Sequence, residues 1–224
     1  IAERKKAQLA SARTQARLRL LIDQFPGAVL FESVERRLIV CNRTFSQLFR
    51  TGSTPTDLIG MDCKPTARMA SSQFSRPAAF LARIEEILAK QEPVLAERLE
   101  MTDGHSLERD FIPVHSSEEI IGYLWLYRDI TERTIVEEQL REAAIVFSHA
   151  SEGIMITDAV GKIVDVNEGF EEITGYRSEE AIGQTPRIMK SELHDQAFYD
   201  ELYHALETNQ VWVGEVWNRR KNGD

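Results

Sequence analysis

The feature that most constrains this chain is a local pattern that occurs twice. A short apolar run, Ala28-Val29-Leu30-Phe31, leads through a charged turn at Glu35-Arg36-Arg37 into a second run, Leu38-Ile39-Val40-Cys41. Two such runs around a polar turn read as a β-hairpin. Asn42 then opens a helical segment, Arg43 to Phe49, that ends near Gly52. Asn suits a helix N-cap because its side-chain oxygen accepts a free amide hydrogen of the first turn. About 125 residues later the order returns. Gly153-Ile154-Met155-Ile156-Thr157-Asp158 is strand-like, Ala159-Val160-Gly161-Lys162 turns, Ile163-Val164-Asp165-Val166 alternates, and Asn167 precedes Glu168 to Thr174 and Gly175. Asn42 pairs with Asn167, Phe45 with Phe170, and Asp57-Leu58-Ile59-Gly60 with Glu180-Ala181-Ile182-Gly183. Composition does not produce a shared order of this length, so we read an internal repeat of two similar domains.

The remaining segments extend each unit. Residues 1–24 are rich in Ala, Leu, Arg, Lys and Gln with no Gly or Pro, which predicts a helix, as a coiled-coil tail or lying on its own domain. Its loose stripe is Leu9, Ala12, Ala16, Arg19 and Ile22. Ala78 to Lys90 places Phe80, Leu81, Ile84, Ile87 and Leu88 at helical spacing. Val94 to Met101, Leu107 to Val114 and Ile120 to Tyr127 read as strands, with Asp103-Gly104 as a hairpin turn. In the second unit Ala197 to Thr208 reads as a helix and Val211 to Arg219 as a strand. The chain ends at Asn222-Gly223-Asp224, so this unit is expected to lack its last two strands.

Composition excludes some functions. The net charge of −9 argues against general nucleic-acid binding, which needs a basic face. No apolar stretch approaches the length of a membrane helix and no secretory signal opens the chain. The first residue is Ile1, not Met, which suggests a piece of a longer protein whose upstream part has room for a membrane anchor. Cys41 and Cys63 form neither a disulfide framework nor a zinc site and suit a reducing cytoplasm. There is no Walker loop, nucleophile elbow or His-Glu-x-x-His pattern, and His105, His115, His149, His194 and His204 lack metal-ligand spacing. No catalytic residues and no metal site are assigned.

Four signatures together carry a resemblance to the PAS family of sensor domains. They are Cys41-Asn42-Arg43-Thr44-Phe45 with Val166-Asn167-Glu168-Gly169-Phe170; Ile173-Thr174-Gly175-Tyr176 followed by Ser178 to Gly183; Trp212-Val213-Gly214-Glu215 with Asn218 to Gly223; and Arg128-Asp129-Ile130-Thr131-Glu132-Arg133. The resemblance implies an α+β fold: two five-stranded antiparallel sheets, each with helices on one face, joined by a helix. The expected division is an N-terminal helix over residues 1–24, a first domain over 25–130, a linker helix over 131–149 and a truncated second domain over 150–224. It implies a sensory input module of a bacterial signalling protein, acting on an effector domain of the same chain. Histidine kinases, diguanylate cyclases and cyclic-di-nucleotide phosphodiesterases follow such linkers. The alternatives are a flavin (FAD) redox sensor, through the second domain, and a ligand-free dimerisation scaffold.

The flavin alternative rests on likeness to redox-sensing PAS domains of nitrogen-fixation regulators. Asn218 offers the paired donor and acceptor a flavin ring edge requires, Arg187 suits a phosphate, and Trp212 joins them as a candidate. Pro186 stands where the light-sensing branch carries its reactive Cys, so a flavin–cysteine adduct is excluded there. His194 and His204 are the candidates for haem. For signal transmission the candidates are Asp129, Thr131, Glu132 and Leu140. Asp129 and Glu132 have the spacing of a capping box, with Thr131 as the alternative cap. Along Thr131 to Ser148, Val136, Leu140, Ala143 and Phe147 recur at coiled-coil spacing, which suits a parallel homodimer or packing within one chain.

Overall fold

The computed structural model describes residues 13, 14 and 16–224, which form two compact units divided between Val136 and Glu137. Of the expected N-terminal helix, residues 16–23 are helical (α1), while residues 1–12 and 15, with Leu9 and Ala12 of the stripe, lie outside the described residues.

The first unit is a five-stranded antiparallel sheet in the order β2-β1-β5-β4-β3. Its strands are β1 (Ala28–Glu32), β2 (Leu38–Cys41), β3 (Val94–Glu100), β4 (Ser106–Ser116) and β5 (Glu119–Asp129). Between β2 and β3 run α2 (Arg43–Leu48), α3 (Cys63–Ser71) and α4 (Pro77–Lys90). Pro77 sits in the first turn of α4, where a missing N–H costs nothing, and Phe80, Ile84 and Ile87 form its buried stripe. Strand alternation sets the two sheet faces. Leu30 and Glu32 of β1, Leu107, Arg109 and Phe111 of β4, and Tyr123, Trp125 and Tyr127 of β5 are buried on the helix-covered face. Val29, Phe31, Leu124 and Leu126 occupy the other face, beside Leu18, Leu21 and Ile22 of α1.

Gly122 is where β5 comes closest to β1. A Cβ there would lie 2.4 Å from the Glu32 carbonyl oxygen and 2.7 Å from the Phe31 ring, so the ladder requires glycine.

α5 (Thr131–His149) follows β5 as one 19-residue helix with no buried residue. The second unit contains β6 (Met155–Thr157), β7 (Ile163–Val166), α6 (Glu168–Thr174), α7 (Ser178–Ala181), a 3-10 turn at Pro186–Met189 and α8 (Gln196–Asn209). Ile163, Val166, Phe170, Ala181 and Met189 make its core. The repeat is reproduced down to hydrogen-bond register. Leu30 pairs with Cys41 and Met155 with Val166, and both hairpins carry an irregularity one residue later, at Phe31/Glu32 and Ile156/Thr157.

One expectation fails. Val211 to Arg219 forms no ladder beyond a single bridge between Asn218 and Lys190. β3, its counterpart, gains its hydrogen bonds from β4, and the 224 residues contain no second-unit equivalent of β4. β-propensity does not make a strand where no neighbour offers paired backbone groups.

Candidate functional site

In both units the repeated Asn organises the entrance to the fold. Asn42 Oδ1 accepts from the Phe45 amide at 2.9 Å, capping α2, and from the Val29 amide at 3.0 Å in β1. Its Nδ2 donates to the Gly27 carbonyl at 2.7 Å and to the Ile22 carbonyl, at the end of α1, at 3.2 Å. Asn167 repeats this: Oδ1 accepts from Phe170 and Ile154, and Nδ2 donates to Glu152 and Ala150 at 2.8 and 3.2 Å. Sequence reasoning identified both residues as caps and missed that each also fastens the chain arriving from the preceding helix. Gly169 makes that approach possible in the second unit, since a Cβ there would lie 2.6 Å from the carbonyl oxygens of both Ala150 and Glu152.

At the start of α5 the Asp129 side chain takes the first-turn amide, while the Glu132 half of the expected box is absent among the described residues. Asp129 still belongs to β5, paired with Leu107, and the helix begins at Thr131. The Asp129 carboxylate accepts from the Thr131 amide at 2.9 Å and from the Thr131 hydroxyl. Thr131 Oγ1 in turn accepts from the Ser106 amide at 3.0 Å, and the Ile130 amide donates to the Ser106 carbonyl at 2.9 Å. Among the described residues no bond runs from Glu132 back to Asp129, which is paired with Leu107 at the end of β5. Asp129 and Thr131 instead tie the first residues of α5 to the first residue of β4. Glu132 is exposed, and Leu140 is 66% exposed on the middle of the helix.

The helix-covered face of the first unit encloses a cavity of about 40 Å³. Its wall combines apolar side chains such as Leu30, Leu38, Phe45 and Ala70 with Glu32, Arg36, Cys63, Thr66 and Tyr127. Glu32 is fully buried; it accepts from Trp125 Nε1 and from Arg36 Nε, each at 2.8 Å. Arg36 holds this position with φ +64°, a left-handed conformation that costs a non-glycine residue roughly 1–2 kcal/mol. The second unit has Gly161, at φ +79°, in the equivalent turn position, and Thr157 in place of Glu32. The buried ion pair is therefore a property of the first unit alone.

Burial pushes the Cys41 thiol up to about 11, and burial together with the Glu32 charge pushes Cys63 higher still. Neither is a reactive thiolate at neutral pH. Neither Glu32 nor Arg109 was singled out from the sequence, although strand alternation places Glu32 in register with Leu30, and Arg109 in register with Leu107 and Phe111.

In the second unit Arg187 and Asn218 both line a cavity of about 390 Å³, with Met155, Met189, Tyr199 and Leu202 among its walls. Lys190, also in the wall, has its Nζ 4.7 Å from the Tyr199 ring centroid. Trp212 is not part of that wall; it meets Phe198 edge-on at 5.8 Å. Trp217 is 61% exposed, so of the adjacent pair it is Asn218 that faces the cavity. His194 stacks on Phe198 at 3.8 Å and accepts the Trp217 amide on Nε2, which commits that nitrogen to a structural bond. His204 is exposed on α8.

A family model described as PAS domain matches residues 26–132 and 151–224. Among curated proteins, a nitrogen fixation regulatory protein of Klebsiella oxytoca is 34% identical over 74 residues, covering 33% of this chain and 15% of that protein. A blue-light photoreceptor of Listeria innocua is 38% identical over 77 residues, covering 33% and 30%. The aerotaxis receptor of Escherichia coli is 32% identical over 68 residues, covering 30% and 13%. The chain thus spans less than a third of the length of each of these relatives. Among solved structures, a domain of Bordetella pertussis BvgS aligns with TM-score 0.42 and 23% identity, over 59% of this chain and 98% of that one.

Proposed function

Because this chain belongs to the PAS domain family, whose members are sensory rather than catalytic, we propose that its two units form a non-catalytic input module that passes a signal along α5 to an effector in the same protein. The division into an N-terminal helix, a first PAS domain at 25–130, a linker at 131–149 and a second domain at 150–224 belongs to this reading. The observation that carries it is the fastening at the two ends of α5. Asp129 and Thr131 bind its first turn to β4, so a change in the first sheet reaches the helix through hydrogen bonds rather than a slack loop. Asn167 binds the chain just beyond its last turn to α6 and β6 of the second unit.

Two residues inserted after Glu138 would rotate the downstream half of α5 by roughly 200° about the helix axis. Output of the full-length protein should then change sign or be lost, with folding intact. Unaltered output would reject transmission through α5.

Homodimerisation is part of the same proposal. Val136 and Leu140 of the expected seam are 48% and 66% exposed, as an unpartnered helix face would be. Light scattering at rising concentration should report a dimer that Leu140→Lys weakens, and a monomer throughout would remove this element.

A second reading, flavin binding by the second unit, is favoured by the shared cavity of Arg187 and Asn218. A wall with the Arg187 guanidinium and Lys190 for a phosphate, the Asn218 carboxamide for a ring edge, and Met155, Met189, Leu202 and Leu206 for a ring face fits that group. Bound flavin would supply redox chemistry; Arg187 and Asn218 would hold and orient it. Trp212, outside the wall, has no part in this reading. An absorption scan after incubation with FAD tests it, and no uptake would reject it.

A further inference from the structure

Residues 211–219 make no ladder, so the loop before α8 has to hold them. The Arg219 amide donates to the Met189 carbonyl at 2.8 Å, and Asn218 bridges to Lys190. Side chains meet both backbone groups of Trp217. Its carbonyl accepts from the Ser191 hydroxyl, and its amide donates to His194 Nε2 at 2.8 Å. The first unit fastens the corresponding place through backbone groups. There the Thr102 amide donates to the Gln73 carbonyl at 2.8 Å and the Ser75 amide to the Glu100 carbonyl at 2.9 Å, while β3 pairs along β4. A peptide carbonyl accepts at every pH; an imidazole nitrogen accepts only while the ring is neutral. The second unit therefore has a proton-sensitive acceptor where the first relies on peptide groups.

The donor decides the state of the ring. A backbone amide can only give its hydrogen, so Nε2 presents a lone pair and the ring hydrogen sits on Nδ1. With that nitrogen taken, His194 leaves the haem candidates. The ring lies on Phe198, 3.8 Å between centroids and 15° from parallel, with Tyr199 edge-on at 6.2 Å. Protonation turns Nε2 into a second donor facing the Trp217 amide. Turning the ring over brings no relief, because an imidazolium has no acceptor nitrogen. Val216 and Asn218, on either side of Trp217, line the cavity of about 390 Å³, so this bond seats part of the cavity wall.

The charged groups around the ring are of other kinds. Near His194 in the chain, Asp195 accepts from the Phe198 amide at 3.0 Å, Lys190 Nζ lies over the Tyr199 ring and Glu192 is exposed. On α8 Asp200 accepts from Gln196 at 2.8 Å, and residues 211–219 contribute Glu215 and Arg219. Carboxylates ordinarily titrate near about 4, and phenols, ammonium and guanidinium groups at about 10 or above. Between about pH 5 and 8 the side chains that change charge are imidazoles, here His194 and, further along α8, His204.

We propose that His194 is a proton-operated latch on the second unit. Neutral, it seats residues 211–219 against the cavity; protonated, it frees Trp217 and with it the wall formed by Val216 and Asn218. Release takes up a proton, so the seated state weakens as pH falls through the imidazole range and is fully held above it. The latch stands whether or not the sensory or the flavin reading does.

The test is amide hydrogen exchange of the 224-residue chain, corrected for intrinsic rates, at about pH 8 and about pH 5, with nitrogen NMR of the His194 ring. Protection of residues 211–219 should fall about 5-fold at the lower pH, the worth of one net hydrogen bond, with β3 unchanged. The neutral ring should carry its hydrogen on Nδ1. His194→Phe keeps the stack on Phe198 and removes the acceptor, so protection should be low at both pH values. His204→Gln should keep the step. Equal protection of the parent at both pH values, a step that survives His194→Phe or vanishes in His204→Gln, an equal step in β3, or a neutral ring with its hydrogen on Nε2 would overturn the latch.

Discussion

Replacing Asn42 by Asp separates two roles that a single side chain performs. Asp caps a helix as well as Asn, so if capping α2 were the whole role of Asn42, Asn42→Asp would be nearly neutral. The structure gives Asn42 a second task, donating from Nδ2 to the carbonyls of Gly27 at 2.7 Å and Ile22 at 3.2 Å, at a position 0% exposed. A carboxylate has no hydrogen to donate and sets its own negative charge against both acceptors. The Gly27 carbonyl, in a buried bond, loses its partner; leaving such a group unsatisfied costs about 1–3 kcal/mol. The Ile22 carbonyl is partly buried and adds about 1 kcal/mol, and desolvating the new charge adds about as much again. The sum is roughly 4 kcal/mol, which for a domain of about a hundred residues lowers the melting temperature by about 15 °C. Asn42→Ala should cost about the same, losing the cap as well but introducing no charge.

The sign of the pH dependence is fixed as well. Burial raises the pKa of the introduced acid above its unfolded value of about 4, so the penalty is full above the folded pKa and fades as pH falls towards the unfolded one. Urea unfolding at neutral pH and near pH 5, followed by Trp125 fluorescence, measures both effects. An Asn42→Asp protein within about 0.5 kcal/mol of the parent would refute the fastening role and leave only the cap.

Glu97→Gln should flatten the acid limb of first-unit stability. Burial alone would raise the Glu97 carboxyl, but the hydrogen bonds and charges of Arg83 and Arg109 outweigh it and hold it below its ordinary value. A depressed carboxylate stabilises above its unfolded pKa and loses that contribution as pH falls through the folded one, so the parent should weaken below about pH 4.5 and the variant much less, as read by urea unfolding. Glu32→Ala should destabilise the first unit by about 3–5 kcal/mol, since it strands the Arg36 charge and the Trp125 indole N–H in the core; an unshifted Trp125 emission with unchanged stability would contradict that. Gly169→Ala should destabilise the second unit by at least about 1 kcal/mol and raise hydrogen exchange around Ala150 to Glu152, because its Cβ meets two carbonyl oxygens at 2.6 Å.

Periodicity and punctuation in the sequence determined the architecture. The doubled hairpin, the Asn after it, the stripe of α4 and the long strands β4 and β5 are local patterns that neighbouring residues suffice to specify. Asp129 and Thr131 were legible as residues of the joint for the same reason, though their bonding was not. The box read from the spacing of Asp129 and Glu132 gave way to a bond network reaching Ser106, and a partner 25 residues away leaves no local trace. Val211 to Arg219 shows the limit from the other side: strand composition is local, while the ladder that makes a strand needs a neighbour.

Only the tertiary structure decided which charges are buried and against what. Glu32, Arg36 and Arg109 look like ordinary surface residues in a charged chain. Glu32 meets Trp125 across 93 positions of sequence, and Arg109 meets Glu97 and the Phe80 and Trp125 rings only because β4 lies between β5 and β3 and turns that register inward. Burial and long-range pairing arise when strands are laid side by side, so the chemistry of the first unit's interior emerged there, while the fold that encloses it was already written in the repeat.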